Sequence, residues 1–390
     1  MSTTAPEVDG QGPPEPTQTH TFLQRVTTGT DWKSAVVIPL LAVITAFVIG
    51  GIIMMLAGVP FTQVLEAYRA LIAGSVGSVK AISETLTAAT PLILTGLAVA
   101  IAFRAGLFNI GGEGQMLVGG MTALVVGFSF EGLPAIVHVP LALLAGVLGG
   151  AAWGFVPGFL RAKTGAHEVI TTIMMNYIAY RLIEFLLTLT YFQKEGRNDP
   201  ISKSVEKSAE YPLLLGWQDP SLRVHLGLFI AVGAAVVIHW LLFRTNLGFE
   251  FRAVGANPAA ARYAGMSVSK VYILVMVIAG GLAGMAGTGQ VLGVLGRASP
   301  GFSAGLGFDG IAVALLGRSN PMGVVAAAVL FGGLRAGGQQ MQVEAGVGID
   351  LIAVIQALII IFVAAPALIT TIYRLKAPST ATQISRGWAS

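Results

Sequence analysis

Long apolar stretches alternate with short polar joints along the chain. Runs of about 20 residues, enough to span hydrocarbon as a helix, occupy 35–56, 86–103, 140–160, 169–187, 225–243, 271–292, 321–341 and 349–369. Two shorter runs, 114–130 and 305–316, each carry an acid at or just before their start, Glu113 and Asp309. They predict half-spanning or tilted helices. The pattern therefore predicts an all-α polytopic membrane protein with about ten transmembrane helices. Its membrane domain runs over 34–373, between an N-terminal tail 1–33 and a C-terminal tail 374–390.

Composition agrees. Only 11% of the 390 residues are charged and 54% are hydrophobic, against roughly 25% charged in a soluble domain. The 50 glycines suit the close helix contacts that small residues permit in lipid. With no cysteine, disulfides, thiolate metal sites and cysteine nucleophiles are excluded. Residues 1–20, rich in Pro, Thr, Gln and Gly, are expected to be disordered and do not form a signal peptide. The net charge of +4 bears on orientation rather than on nucleic acid. Arg161 and Lys163, then Arg244, Arg252, Arg262 and Lys270, then Arg374, Lys376 and Arg386, and before the first helix Arg25 and Lys33, all fall on one side if there are ten crossings. Arg104 and Arg318 join them. Both termini and the loop 244–270 are then cytoplasmic, and the long loop 188–223 is external. An eight-crossing arrangement would bring Arg161 and Lys163 outside, so ten is preferred. The second to fifth and seventh to tenth helices then form two four-helix blocks of opposite orientation. Such inverted repeats place binding sites near the midplane, often at interrupted helices.

One interruption is unusually polar. Residues 106–115 read Gly-Leu-Phe-Asn-Ile-Gly-Gly-Glu-Gly-Gln, at the seam between two apolar stretches. Non-helical polar backbone at membrane depth is tolerated only where protein buries it or water wets it, and an ionisable group there is by default a functional candidate. The segment is therefore a candidate transport pathway.

The inner loop contains a second legible piece. Over 252–266 it reads Arg-Ala-Val-Gly-Ala-Asn-Pro-Ala-Ala-Ala-Arg-Tyr-Ala-Gly-Met. Asn257 suits an N-cap, Pro258 the first helical position, the alanines a helix, and Gly265 the left-handed position that ends one. A short, stiff cytoplasmic helix carrying Arg262 and Tyr263 results. It is either an interfacial connector on lipid headgroups or a lever docked on a cytoplasmic partner.

Together the two motifs resemble the permease subunits of bacterial ABC importers for simple sugars and nucleosides, a group related to the ribose and branched-chain amino acid permeases. Further matching pieces are His-Glu-Val-Ile-Thr-Thr-Ile-Met-Met-Asn-Tyr-Ile at 167–178 and Gly-Phe-Asp-Gly-Ile-Ala-Val-Ala-Leu-Leu-Gly at 307–317. The resemblance covers roughly 35–368, and segment 167–178 is most similar to nucleoside permeases. It implies a type II importer-like fold in the bacterial cytoplasmic membrane. The implied partners are a cytoplasmic ABC ATPase, a second permease that is a paralogue, and an extracytoplasmic substrate-binding protein. It also implies that 257–266 is the coupling helix, with Asn257, Pro258, Arg262 and Tyr263 at the ATPase. The chain has no Gly-x-x-x-x-Gly-Lys-Ser/Thr loop, so ATP and magnesium belong to that partner, and this chain binds no cofactor or metal itself.

The remaining polar groups have two readings each. Asn109 and Glu113 either cap the third helix or, with Gln115, contact substrate. Phe108 is a packing residue or an aromatic wall. Asn176 makes an interhelical hydrogen bond or lines the pathway, and Phe308 and Asp309 cap the other short helix or line the pathway. Arg181 and Glu184 read as a local ion pair, and His239 with Trp240 as interfacial anchors. Gly150, Gly154, Gly158 and the pair Gly280, Gly284, spaced by four, read as close helix packing. No catalytic residues are found. The function expected is uptake of a small neutral polar solute, nucleoside ahead of simple sugar. An ion-coupled secondary transporter with Glu113 and Asp309 as titrating groups is the alternative from another class.

Overall fold

The computed structural model describes residues 31–364 except 349, together with 368, 372 and 373. The tail expected at 374–390, residues 1–30 of the tail expected at 1–33, and Arg25, Arg374, Lys376 and Arg386 lie outside the described residues.

Thirteen helices follow one another among the described residues: α1 (Asp31–Leu56), α2 (Phe61–Val76), α3 (Val79–Arg104), α4 (Gly112–Ser129), α5 (Ala135–Thr164), α6 (Glu168–Thr188), α7 (Gly227–Arg244), α8 (Asn246–Ala256), α9 (Pro258–Tyr263), α10 (Val268–Gln290, continued by a π-helical turn Val291–Leu295), α11 (Leu306–Leu316), α12 (Pro321–Ala345) and α13 (Asp350–Ala364). Among the described residues the only β pairing is two isolated bridges, Gln193 with Ser202 and Leu213 with His225. Within those residues each of the ten apolar runs coincides with a helix, and, among the described residues, six helices are long and apolar enough to cross a membrane. Two helices were not anticipated. One, α2, buries Val64, Ala67, Ala70 and Leu71 along one face, packed on α12. The other is α8, which precedes the short helix in the inner loop.

Local chemistry sets several boundaries. Ser78 caps α3 by accepting from Ala81 N at 3.0 Å, Thr245 caps α8 through Gly248 N at 3.1 Å, and Ser267 caps α10 through Lys270 N at 3.4 Å. Asn320 caps α12, with Pro321 at its first position. These side-chain oxygens satisfy N–H groups that a helix start leaves open.

Two helices form the centre. On α3, the run Leu92, Ile93, Leu94 and Leu97–Ala102 is wholly buried, and α3 packs against α10, α11 and α12. On the other side α10 packs against α3, α4 and α5. The α5–α10 contact is built on glycine. A methyl group on Gly150 would collide with Gly280 O, and one on Gly154 with Met276 O. The two backbones therefore touch, as the four-residue spacing predicts, and gain the close packing on which helices in lipid depend.

One end of the bundle is basic and carries Arg104, α8, α9 and the end of α5, which meets the start of α10 through Ser269 Oγ donating to Ala162 O at 3.2 Å. The opposite end carries the segment between α6 and α7. There His225, just before α7, is buried among Gly227, Gly293 and the Tyr211 ring.

Candidate functional site

Two non-helical segments enter this bundle from opposite ends. The first follows Arg104 at the basic end, where Gly106 lies against Gly255 of α8, and leads inward to α4. The far end of α4 reaches the α6–α7 segment, where Glu206 N donates to Gly127 O at 2.8 Å. The second starts at the α6–α7 segment, where Val205 N donates to Gly296 O at 2.9 Å, and leads inward to α11. This helix then runs to the basic end, where Arg104 Nε donates to Ser319 O at 2.9 Å. Thr95 Oγ1 donates to Leu306 O at 3.1 Å. Thr95 lies nine residues before Arg104, so α11 begins roughly 14 Å inside the bundle.

The N-termini of α4 and α11 meet there. Gly112 and Gly307 are in backbone contact, and a methyl on Gly307 would collide with Glu113 N. Each helix start carries about half a positive charge and open N–H groups, so bringing two together calls for an anion. Glu113, at 0% exposure, supplies it. Its Oε2 accepts from Gly307 N at 2.7 Å. Its Oε1 accepts from Gly305 N at 3.2 Å, from Tyr180 OH at 3.0 Å and from Ser303 Oγ. The carboxylate expected to cap its own helix caps the opposing one.

The α4 start is satisfied by amides. Asn109 Oδ1 accepts from Gly111 N at 3.0 Å, and Asn109 and Gln115 exchange side-chain hydrogen bonds at 3.0 and 3.3 Å. From α6, Asn176 Oδ1 accepts from Gly114 N at 2.8 Å while its Nδ2 donates to Ile110 O at 2.9 Å. Asn176 thus closes the first break as an interhelical bridge. Phe108 is half-buried and packs on Phe103, centroids 4.7 Å apart. The first-break candidates Asn109, Glu113 and Gln115 therefore come together with Asn176 in one buried polar core.

Phe308 and Asp309 sit one turn away on a more open face. Phe308 is 41% exposed. Asp309 makes no cap; its Oδ2 pairs with Arg335 Nη2 of α12 at 2.8 Å, with 28% and 31% of the side chains exposed. Arg335 also donates to Ala304 O at 3.3 Å. Ala304 holds φ +48°, a conformation costly for a residue with a Cβ. Sequence reasoning missed Arg335, Ser303 and Tyr180. A lone arginine inside an apolar run was the available signal for the first, whereas a serine and a tyrosine give none.

The loop candidates lie elsewhere, at the basic end. Asn257 Oδ1 accepts from Ala260 N at 3.0 Å, Gly265 holds φ +87°, and Met266 N closes the turn on Ala261 O at 3.0 Å. The helix is six residues, Pro258–Tyr263, shorter than expected. Ala261 alone of these is buried. Arg262 is exposed, and Tyr263 is 97% exposed. Arg181 and Glu184 pair at 2.6 Å, as expected.

Comparison with known proteins gives a consistent set. The family described as branched-chain amino acid transport system / permease component matches residues 81–364. The chain is 44% identical to the guanosine ABC transporter permease protein NupP of Bacillus subtilis, over 85% of this chain and 93% of that protein. It is 39% identical to the nucleoside ABC transporter permease protein NupB of Lactococcus lactis, over 84% and 90%. It is 37% identical to the glucose ABC transporter permease protein TsgB13 of Haloferax volcanii, over 83% and 86%. The same two bacteria each hold a second guanosine or nucleoside permease protein that matches at 27% and 28% identity. No solved structure matches.

Proposed function

We propose that this chain, which belongs to the branched-chain amino acid transport system / permease component family, is the membrane-spanning permease subunit of an ATP-driven importer of nucleosides. It is a transport component and not an enzyme. Support for the substrate class comes from relatives named for guanosine and nucleosides at 44% and 39% identity over most of the chain. A simple sugar is the second reading, favoured by the glucose permease at 37%.

The observation that carries the drive is the capped helix Pro258–Tyr263. It projects Arg262 and Tyr263 away from the bundle at its basic end, a shape suited to a groove on a cytoplasmic ATPase that holds ATP and magnesium. An ion-coupled carrier has no need of it. The ion-coupled alternative also loses Glu113, one of its two titrating groups, which is locked among four donors.

In this reading the basic end faces the cytoplasm, the chain crosses ten times with both termini inside, and α3–α6 and α10–α13 are inverted blocks. Two features favour the blocks. The breaks enter from opposite ends and meet head to head. The packing is also reciprocal, since α3 takes the second and third helices of the other block while α10 takes the second and third of the first. A second, paralogous permease and an extracytoplasmic binding protein complete the importer. Glu113, Asn109, Gln115 and Asn176 frame the pathway, Phe108 lies beside it, and Phe308 and Asp309 present surface to it. The complex would alternate access as the ATPases close and open.

The test is uptake of labelled guanosine into proteoliposomes holding this chain, the second permease, the ATPase and the binding protein. Uptake should require ATP and persist when an ionophore collapses the membrane potential. Uptake that follows the potential and ignores ATP would reject the reading.

A further inference from the structure

An ion pair half-open to its surroundings at membrane depth calls for an explanation. Arg335 lies 14 residues into α12 from Pro321, roughly 21 Å from the basic end. Lipid at that depth penalises a charge heavily, and charged groups there mark pathways or partners. The face bearing Arg335, Asp309 and Phe308 is therefore expected to open on water or on another protein, not on acyl chains.

The hydrogen bonds leave capacity on this face. Arg335 uses only Nη2, toward Asp309 Oδ2 and Ala304 O, so the donors on Nη1 and Nε are unspent among the described residues. Asp309 spends Oδ2 on Arg335, and its Oδ1 accepts nothing among the described residues. A guanidinium is a donor only and a carboxylate an acceptor only. Side by side, with the pair at 2.8 Å, they present unspent strong donors next to an unspent strong acceptor. Each hydroxyl of a vicinal diol both donates and accepts, so a diol can satisfy both groups at once. The exposed ring of Phe308 next in sequence adds an apolar face for a flat group attached to the sugar. The relatives are named for guanosine, nucleosides and glucose, and a vicinal diol is common to ribonucleosides and glucose.

We propose that Asp309 and Arg335 form the diol-recognition subsite of the permease, reading the 2′- and 3′-hydroxyls of a ribonucleoside. This rests on the nucleoside-import reading above and adds the part of the substrate that the permease itself reads.

The experiment compares uptake of guanosine and 2′,3′-dideoxyguanosine by the reconstituted complex, for the wild type and for Asp309→Asn, Arg335→Met and Arg335→Lys. The same binding protein is present throughout, so any change in the ratio reports the permease. Expected is a fall of about tenfold in the guanosine preference for Asp309→Asn and Arg335→Met, the size of one hydrogen bond to a charged group. Uptake of 2′,3′-dideoxyguanosine, which offers neither hydroxyl, should change little, and Arg335→Lys should recover part of the preference. Melting temperatures of each complex identify any variant that fails to fold, and Arg335→Lys, which keeps the charge, then carries the comparison. Equal losses for both nucleosides would reduce the pair to a tie between α11 and α12 and overturn the inference, as would an unmoved ratio. If the wild type takes up neither nucleoside, the nucleoside reading itself fails. The ratio is then taken with glucose against 2-deoxyglucose, and a ratio unmoved by the variants overturns the subsite.

Discussion

The first break, 106–115, and the inner-loop segment, 252–266, are both polar, glycine-containing interruptions between apolar helices, yet their hydrogen bonds close in opposite ways. The break is buried at its inner end, where Glu113 and Gly114 are satisfied from a distance, Glu113 by Tyr180, Ser303, Gly305 and Gly307 and Gly114 by Asn176, while Asn109 closes locally on Gly111 and Gln115. The loop segment is largely exposed from Asn257 on, and there it satisfies itself within a few residues, with Asn257 capping Ala260 N and Met266 closing on Ala261 O. A segment tied into the far half of the chain is a frame around which the bundle is built. A segment tied only to itself can bear a protruding surface and move as a unit.

This contrast has testable consequences. Glu113→Ala should have the largest effect. It leaves two backbone N–H groups and two hydroxyls without their acceptor and removes the anion between two helix dipoles. A loss of about 3–5 kcal/mol is expected, since each buried donor left without an acceptor costs about 1–3 kcal/mol, read as a large drop in melting temperature in detergent. If Glu113→Ala melts like the wild type, the frame assignment fails.

Gly307→Ala comes next, at about 2–3 kcal/mol, because the added methyl meets the Glu113 backbone and neither chain can yield. Its matched control is Gly265→Ala in the loop, where nothing lies within 4 Å of the new methyl. Only the left-handed φ is then penalised, by about 1–2 kcal/mol, confined to α9. Equal global losses from the two would dissolve the distinction between frame and free segment.

Smaller still is Asn257→Ala. Losing the cap should weaken the short helix by about 1 kcal/mol while leaving the melting temperature of the bundle within about 0.5 kcal/mol of the wild type, since only Ala261 joins α9 to the core. Amide exchange at Ala260 and Ala261 measures the local effect.

The same contrast explains what the sequence could reveal. Every apolar run long enough to notice became a helix, because hydrophobic length is a local property. Asn257, Pro258 and Gly265 were readable because a cap and a left-handed stop are fixed within a few residues. The role of Glu113 was not, since its partners lie between 67 and 194 residues away and a carboxylate beside glycines carries no mark of which helix it will cap. The helix α2 was passed over because Glu66 and Arg69 interrupt its apolar pattern, although its buried face is supplied by α12. Arg335 and Asp309 became a pair only when α11 and α12 were placed side by side.

The most direct measurement of the whole account is nucleoside-stimulated ATP hydrolysis by the assembled complex carrying Arg262→Glu. Arg262 is exposed and makes no ion pair among the described residues, so reversing its charge should leave the melting temperature unchanged. Hydrolysis is expected to fall to the unstimulated level and guanosine uptake to stop in a fully folded permease. Wild-type stimulation and uptake in that variant would contradict it.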